Sequence, residues 1–520
     1  MKKSSEDTNI KSEPTRREFL IRTGALSAGA LIFGLSQPAF IVNAQAATTR
    51  RRPFVVYLHL GAWEGYSAGL MQATDVGSYP RGAFFVNQST GHPNPNVNRH
   101  YKTGNLVLND YTKVLEGIAD HMMFAVANPQ SLAHDEAFLI QQSGSRFEGA
   151  SRTPMWAAGF AQATAGTSKA SYVISAGSDR GMSQLAKTTT AVTSVTAGSI
   201  NEVKTNFSDP PTIPSTPSEA EKYAAIAKGL YSVNASLSVM SDAEKQGAQA
   251  SIDGLRRGIP GIDSVKSQVE SFMSRGGILS GTTFTPTGDL EMRLKDVPDK
   301  EAVYWVNNAG SVLGKNATNN STRGLPGVHD RLRLAAALIE TQAASGIHIN
   351  VPDIHDFHSG GAHVNTARAA CMVWAQIAQF WEWVKSKNYQ NDVLVIVANE
   401  FNRTPANASS MGAVKVPTAE NPDGVDVISN GTDHHLSSGF AFINGSLPPA
   451  SRLGYIGDTF IPTGGRLNGG PQVGKPAYTS QQLVVTVFMR AFPGIFSSPR
   501  DAREIWQTFR ETDVIPELVK

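Results

Sequence analysis

The 520-residue chain contains a single cysteine, Cys371, which excludes an intrachain disulfide and any thiolate-built metal cluster. Charge is scarce too: 17% of the residues are Asp, Glu, Lys or Arg, against roughly 25% in an ordinary soluble domain. The 46 basic and 44 acidic side chains nearly cancel, so no tail or surface of one sign is on offer to nucleic acid or anionic lipid. Glycine (47) and proline (28) occur at ordinary frequency, which excludes collagen-like and low-complexity character. No internal repeat is visible. What is present is core-forming material: 41% of the residues are hydrophobic, and the length fits one large domain with insertions or two to three domains.

The first 46 residues read as an export signal. Pro14-Thr-Arg-Arg-Glu-Phe-Leu20 precedes a modestly apolar, Gly- and Ala-rich stretch from Gly24 to Leu35, which ends near Ala44-Gln45-Ala46. A basic segment, an apolar segment and a small-residue cleavage site follow one another in that order. The adjacent Arg16 and Arg17 resemble the twin-arginine signal, whose translocase carries folded proteins. The apolar stretch is shorter than the about 20 residues of a membrane-spanning helix, so no membrane span is expected after cleavage. Removing residues 1–46 takes away six basic and four acidic side chains and leaves 40 of each. A neutral exported chain is expected to be periplasmic or secreted, with no nucleic-acid partner.

Continuous apolar runs of strand length occur at Pro53 to Leu60, Met122 to Ala127, Ser171 to Ser175, Gly346 to Val351, Asp392 to Ala398 and Gly439 to Ile443. Such runs mark strands buried on both faces. Asp330 to Ala344 and Asn365 to Lys385 carry apolar residues at helical spacing. The alternation predicts an α/β fold with a mostly parallel sheet covered by helices on both faces. Asp209 to Pro217 is a proline-rich linker, and the Ala-, Lys-, Glu- and Ser-rich stretch after it predicts a helical insertion over about residues 209–290. The remainder, 47–520, reads as one α/β domain.

Ligands of open α/β sheets bind beyond the carboxyl ends of the strands, and the residues after these runs are polar. Glu64 follows the first run; Ser131, His134 and Asp135 follow the second; Asp353, His355, Asp356, His358 and His363 follow the Gly346 run. Glu400 and Arg403 close the Asp392 run, and Asp433, His434 and His435 precede the last. Six of the twelve histidines fall between His348 and His435, a concentration that singles out the late strand ends. Imidazoles mixed with carboxylates and no thiols suit a divalent Zn, Mn or Mg ion, one or two in number. Other positions read as structural. His59 reads as a satisfied core histidine; His92, His100, His121 and His329 as surface or loop residues; Trp374, Trp381, Trp383 and Cys371 as helix packing.

The ordered motifs G-x-x-E-G at Gly61, A-H-D-E-A at Ala133, S-G-I-H-I-N-V followed by D-F-H at Asp356, N-E-F-N-R-T at Asn399 and G-T-D-H-H at Gly431, behind a twin-arginine leader, resemble a known family. It is the secreted bacterial family called domain of unknown function 1501, within the alkaline phosphatase and sulfatase superfamily. The likeness spans about residues 53 to 445, apart from the insertion. It implies an alkaline-phosphatase-like fold and metal ligands at Glu64, His134, Asp356, His358, Glu400, Asp433 and His434. It also implies an activity on phosphate or sulfate esters of small molecules or glycans, for which Arg403 is the candidate oxyanion clamp. Three positions depart from the family: Glu64 replaces Asp, Asn402 replaces Gly, and Ala133 stands where the family has Ser. The last leaves Ser131 as the only nearby hydroxyl for a nucleophile, and direct attack by metal-bound water is the expectation set against it. The alternative expectation is a non-catalytic, metal-stabilised envelope protein that binds a partner or glycan.

Overall fold

The computed structural model describes residues 52–61, 85–87, 100–104, 106–109, 112–145, 154–164, 172–175, 194–196, 325–342, 344–351, 362–403, 407–416, 425–431, 434–435, 437–449, 455–456 and 478–519, with scattered positions between 270 and 292. The expected signal (residues 1–46) and most of the expected insertion lie outside them. In chain order the strands are β1 (Phe54–His59), β2 (Phe85–Asn87), β3 (His100–Thr103), β4 (Leu106–Asn109), β5 (Met122–Asn128), β6 (Tyr172–Ser175), β7 (Ser194–Thr196), β8 (Gly346–Asn350) and β9 (Val393–Ala398). They continue with β10 (Asn402–Arg403), β11 (Asn407–Val416), β12 (Val425–Gly431), β13 (His434–His435), β14 (Ser438–Ile443), β15 (Tyr455–Ile456) and β16 (Tyr478–Thr479). The helices are α1 (His134–Ser143), α2 (Trp156–Ala163), α3 (Leu325–Thr341), α4 (Ala362–Ser386), α5 (Ser480–Ala491), α6 (Pro499–Ile505) and α7 (Pro516–Val519). A 3₁₀ helix, Lys113–His121, leads into β5.

Nine strands form the main sheet in the order β15-β5-β14-β9-β1-β8-β6-β7, with β16 also on β5. β14 is antiparallel to both its neighbours, and every other pairing in this sheet is parallel. All six residues of β1 and all six of β9 are buried. Side chains of a strand alternate between faces, and β1 shows it: Phe54, Val56 and Leu58 enter one core, Val55 and Tyr57 the other. The first core packs under α3, α4 and the 3₁₀ helix and holds Trp374, Trp381, Trp383 and Cys371. The second packs under α2, α5, α6 and α7, with Trp156, Phe160, Phe488 and Trp506 in ring contact. Each buried Val, Leu, Ile or Phe contributes about 1.5–3 kcal/mol, so a sheet covered on both faces draws stability from every residue of its central strands.

The molecule is therefore a mixed α/β protein whose multi-stranded sheet is covered by helices on both faces. Leu279, Phe284 and Leu290, from the end of the expected insertion, are buried in the first core. His329 is not a surface residue: it lies in α3, 2% exposed, with Phe284 edge-on to its ring. The charged pair Asp330-Arg331 directly after it disguised the burial. Among the described residues no helix is long and apolar enough to cross a membrane.

Candidate functional site

Because β14 alone runs backwards, the carboxyl ends of β1, β5, β8 and β9 and the start of β14 share one edge of the sheet. The chain leaves β5 through a tight, hydrogen-bonded lead-in. Asn128 Oδ1 accepts from the Gln130 N–H at 2.8 Å, an Asx-type turn. Gln130 takes φ 61°, a left-handed conformation that costs a non-glycine residue of order 1 kcal/mol or more. Ser131 Oγ then accepts from the Ala133 N–H at 3.1 Å. Ala133 is the extended N-cap residue of α1 and supplies no side-chain cap. His134 thus opens the helix, with Asp135 and Glu136 in the first turn, where negative charge suits the helix dipole.

The other half of the site follows β9. Asn399 exchanges two hydrogen bonds with Gly439 of β14: its N–H donates to the Gly439 carbonyl at 3.3 Å, and its Oδ1 accepts from the Gly439 N–H at 2.7 Å. The next residue, Glu400, donates its backbone N–H to the Gly61 carbonyl at 2.9 Å and is 1% exposed. Its carboxylate meets His134, with Nδ1 and Oε2 2.7 Å apart. Since the carboxylate oxygen accepts, Nδ1 carries the proton.

Two short strands bring in the third member. β10 and β13 pair antiparallel, with Arg403 opposite His434 and Asn402 opposite His435. His434 Nδ1 lies 2.9 Å from the Leu132 carbonyl oxygen; a carbonyl only accepts, so this imidazole also has its proton on Nδ1. The rings of His134 and His434 meet edge to face with centroids 4.7 Å apart. The buried Phe401 ring lies against both, at 4.9 Å from His134 and 4.3 Å from His434. In the neutral form of each imidazole, with Nδ1 anchored and carrying the proton, the lone pair is on Nε2. Metal-ligating histidines commonly have this arrangement, the second nitrogen donating to a carboxylate or a backbone carbonyl.

Of the residues expected at the site, His134, Glu400 and His434 come together, and the backbone of Arg403 sits beside His434. Ser131 lies in the partly exposed lead-in to α1, its Oγ engaged by the Ala133 N–H. Glu64, Asp356, His358 and Asp433 lie outside the described residues. Among the described residues no group of three or more His, Cys, Asp or Glu side chains is disposed to hold a metal ion. Asn399 and Leu132, the first an unremarked letter of a motif and the second a carbonyl, were missed by reading side-chain chemistry alone.

Beneath α1 the sheet carries a buried polar layer. The Tyr57 hydroxyl donates to the Gln141 carbonyl at 3.0 Å, as does the Trp156 indole N–H at 2.6 Å, and Gln141 Oε1 accepts from Ser480 Oγ at 2.5 Å. His348 Nε2 donates to Asn350 Oδ1 at 2.9 Å. Burial pushes the His348 imidazole down to about 4, against a smaller upward effect of that bond. Burial, and then the neighbouring His348, hold His59 well below the ordinary 6.5. His59 is not a fully satisfied core histidine. Its Nδ1 accepts from the Gly61 N–H at 3.1 Å, but its buried Nε2 has no hydrogen-bond partner among the described residues.

Searches against models of protein families and against curated proteins return no match for this chain.

Proposed function

We propose that the chain is an exported, metal-dependent hydrolase or transferase acting on a phosphate or sulfate ester, with an alkaline-phosphatase-like fold. The observation that carries this reading is the pair of imidazoles at the carboxyl edge, each with Nδ1 held by a fixed oxygen acceptor, so that in the neutral form the lone pair is on Nε2. Neutral imidazole and ionised carboxylate are what a divalent ion needs at neutral pH, and His134 and His434, together with Asp356, His358, Asp433 and Glu64, would hold it. Glu400, engaged with His134, orients that ring from behind. When bound, a divalent ion supplies Lewis-acid polarisation of an ester's oxygens. Arg403, next to His434 in the β10–β13 pair, would clamp a developing oxyanion. Ser131 remains the nearest hydroxyl nucleophile. Arg16 and Arg17 would direct the folded chain through the twin-arginine translocase to the periplasm or beyond.

Ala133, a helix-start residue with no hydroxyl, favours the second reading, a metal-stabilised envelope protein that binds a partner or glycan. Elemental analysis of protein purified from its own compartment tests both, alongside assays with p-nitrophenyl phosphate and p-nitrophenyl sulfate. At least one equivalent of divalent metal is expected, falling well below one in His134→Ala and in His434→Ala. Metal content absent from the unmodified protein, or unchanged in both variants, overturns the site. Metal without hydrolysis of either ester supports the second reading.

A further inference from the structure

We propose that His59, at the end of the central strand β1, is a positioning residue that sets the Glu400–His134 pair through the backbone of Gly61. This rests on the reading of that pair as part of the functional site.

The connection is continuous in hydrogen bonds. His59 Nδ1 accepts from the Gly61 N–H at 3.1 Å. The Gly61 carbonyl accepts from the Glu400 N–H at 2.9 Å. Glu400 Oε2 accepts from His134 Nδ1 at 2.7 Å. Gly61 has φ 62°, a conformation that glycine adopts without steric cost; here its N–H turns back onto the imidazole two residues earlier. The same imidazole also touches the helix that carries His134. The Phe138 ring packs edge-on against His59 with centroids 4.3 Å apart, and Phe138 stands one turn along α1 from His134, on the same face. One buried side chain therefore braces both members of the pair, Glu400 through Gly61 and His134 through α1.

The imidazole is a poor choice for packing alone. His59 is 1% exposed, and Nε2 is buried without a hydrogen-bond partner among the described residues. With Nδ1 accepting, Nε2 bears the proton, an orphan donor of the kind native cores avoid. Phenylalanine would fill a place between Tyr57 and Phe138 without that cost. What it lacks is the acceptor at Nδ1. The tautomer also excludes His59 as a metal ligand through Nε2, since that nitrogen has no lone pair to give. Burial keeps the ring neutral, so the acceptor persists at physiological pH.

The test reads the Glu400–His134 bond by nuclear magnetic resonance of the full protein labelled with [15N]histidine, in the absence of added metal or ester. The Nδ1-bound proton of His134 is assigned by its loss in His134→Gln, and its exchange with water is measured. In His59→Phe we expect this exchange to accelerate at least tenfold while circular dichroism and the thermal midpoint show a folded chain. His59→Asn, whose Oδ1 can take the place of Nδ1 as acceptor for Gly61, should restore exchange to within about twofold of the parent. His59→Gln, whose longer amide reaches the Nε2 place instead, should behave like His59→Phe; this pair of amides decides the matter if the phenylalanine variant does not fold. Exchange unchanged in a folded His59→Phe, equal exchange in the Asn and Gln variants, or no such proton in the parent overturns the proposal. Because the readout needs no metal and no turnover, a protein that binds no metal would refute the hydrolase reading and leave this result to stand by itself.

Discussion

Position 133 shows how a single side chain shapes the site. The first turn of a helix has four N–H groups without intrahelical partners, and Ser, Thr, Asp or Asn at the N-cap satisfies one of them. Ala133 cannot, and the nearby Ser131 hydroxyl accepts from the N–H of residue 133 itself. Ala133→Ser should therefore stabilise the protein by about 1 kcal/mol, the typical N-cap contribution, read as a higher urea midpoint with unchanged slope. No gain would mean that the left-handed turn at Gln130 keeps residue 133 from aiming an oxygen into the helix. The same residue scale shows what sequence reading reached. His134 and His434 were legible as imidazoles after and before apolar runs. That Glu400 would be the partner of His134, 266 positions away, was beyond any local pattern. His59 was legible only as a buried histidine, since whether its two nitrogens are satisfied depends on the chain path at Gly61.

Among the elements, the strands were the most legible part. The six apolar runs coincide with β1, β5, β6, β8, β9 and β14 to within one residue at each end, because a doubly covered sheet demands apolar side chains on both faces. Their direction was not legible: a run such as Ser438–Ile443 reads the same whether parallel or antiparallel, and β14 reverses. The two-residue β10 and β13 carry too little pattern to be seen, although they bring Arg403 beside His434. Helix packing was equally hidden, as α2 and α6 illustrate. A Cβ placed on Gly159 of α2 would come within 2.6 Å of the Trp506 ring and 3.0 Å of Ile505 Cγ2. Trp506 is fully buried and ringed by Trp156, Phe488 and Phe496, so it cannot swing away. Gly159→Ala should improve intrinsic helix propensity by up to about 1 kcal/mol and still lose stability, because overpacking a core costs about 1–3 kcal/mol. A lowered thermal midpoint is the expected result; a raised one would show that α6 yields to the added methyl.

The whole molecule responds to acid through its buried imidazoles. His348 lies in the sheet, 2% exposed, with its imidazole held down at about 4 by burial, whereas in the unfolded chain it titrates near 6.5. Between those values the unfolded chain binds a proton at this position and the native chain does not. Stability linked to His348 is therefore fully present above about pH 6.5 and is lost as the pH falls toward 4. At 1.36 kcal/mol per unit, the loss comes to about 3 kcal/mol. His329, also held at about 4 by burial and by the nearby Arg333, acts in the same direction and through the same window. These groups sit on opposite sides of the sheet, His348 beside Tyr57 on the second core's face and His329 with Phe284 in the first, so acid loosens both layers. In His348→Gln the terminal amide can keep a donor to Asn350 but cannot titrate. Urea midpoints measured at pH 7 and pH 4.5 should then differ less in this variant than in the parent, by a margin equivalent to about 2 kcal/mol, the part of the window that pH 4.5 has crossed. An identical pH dependence in the two proteins would show that the His348 imidazole is already charged in the native state at pH 4.5, or that the sheet edge opens to admit the proton before the molecule unfolds.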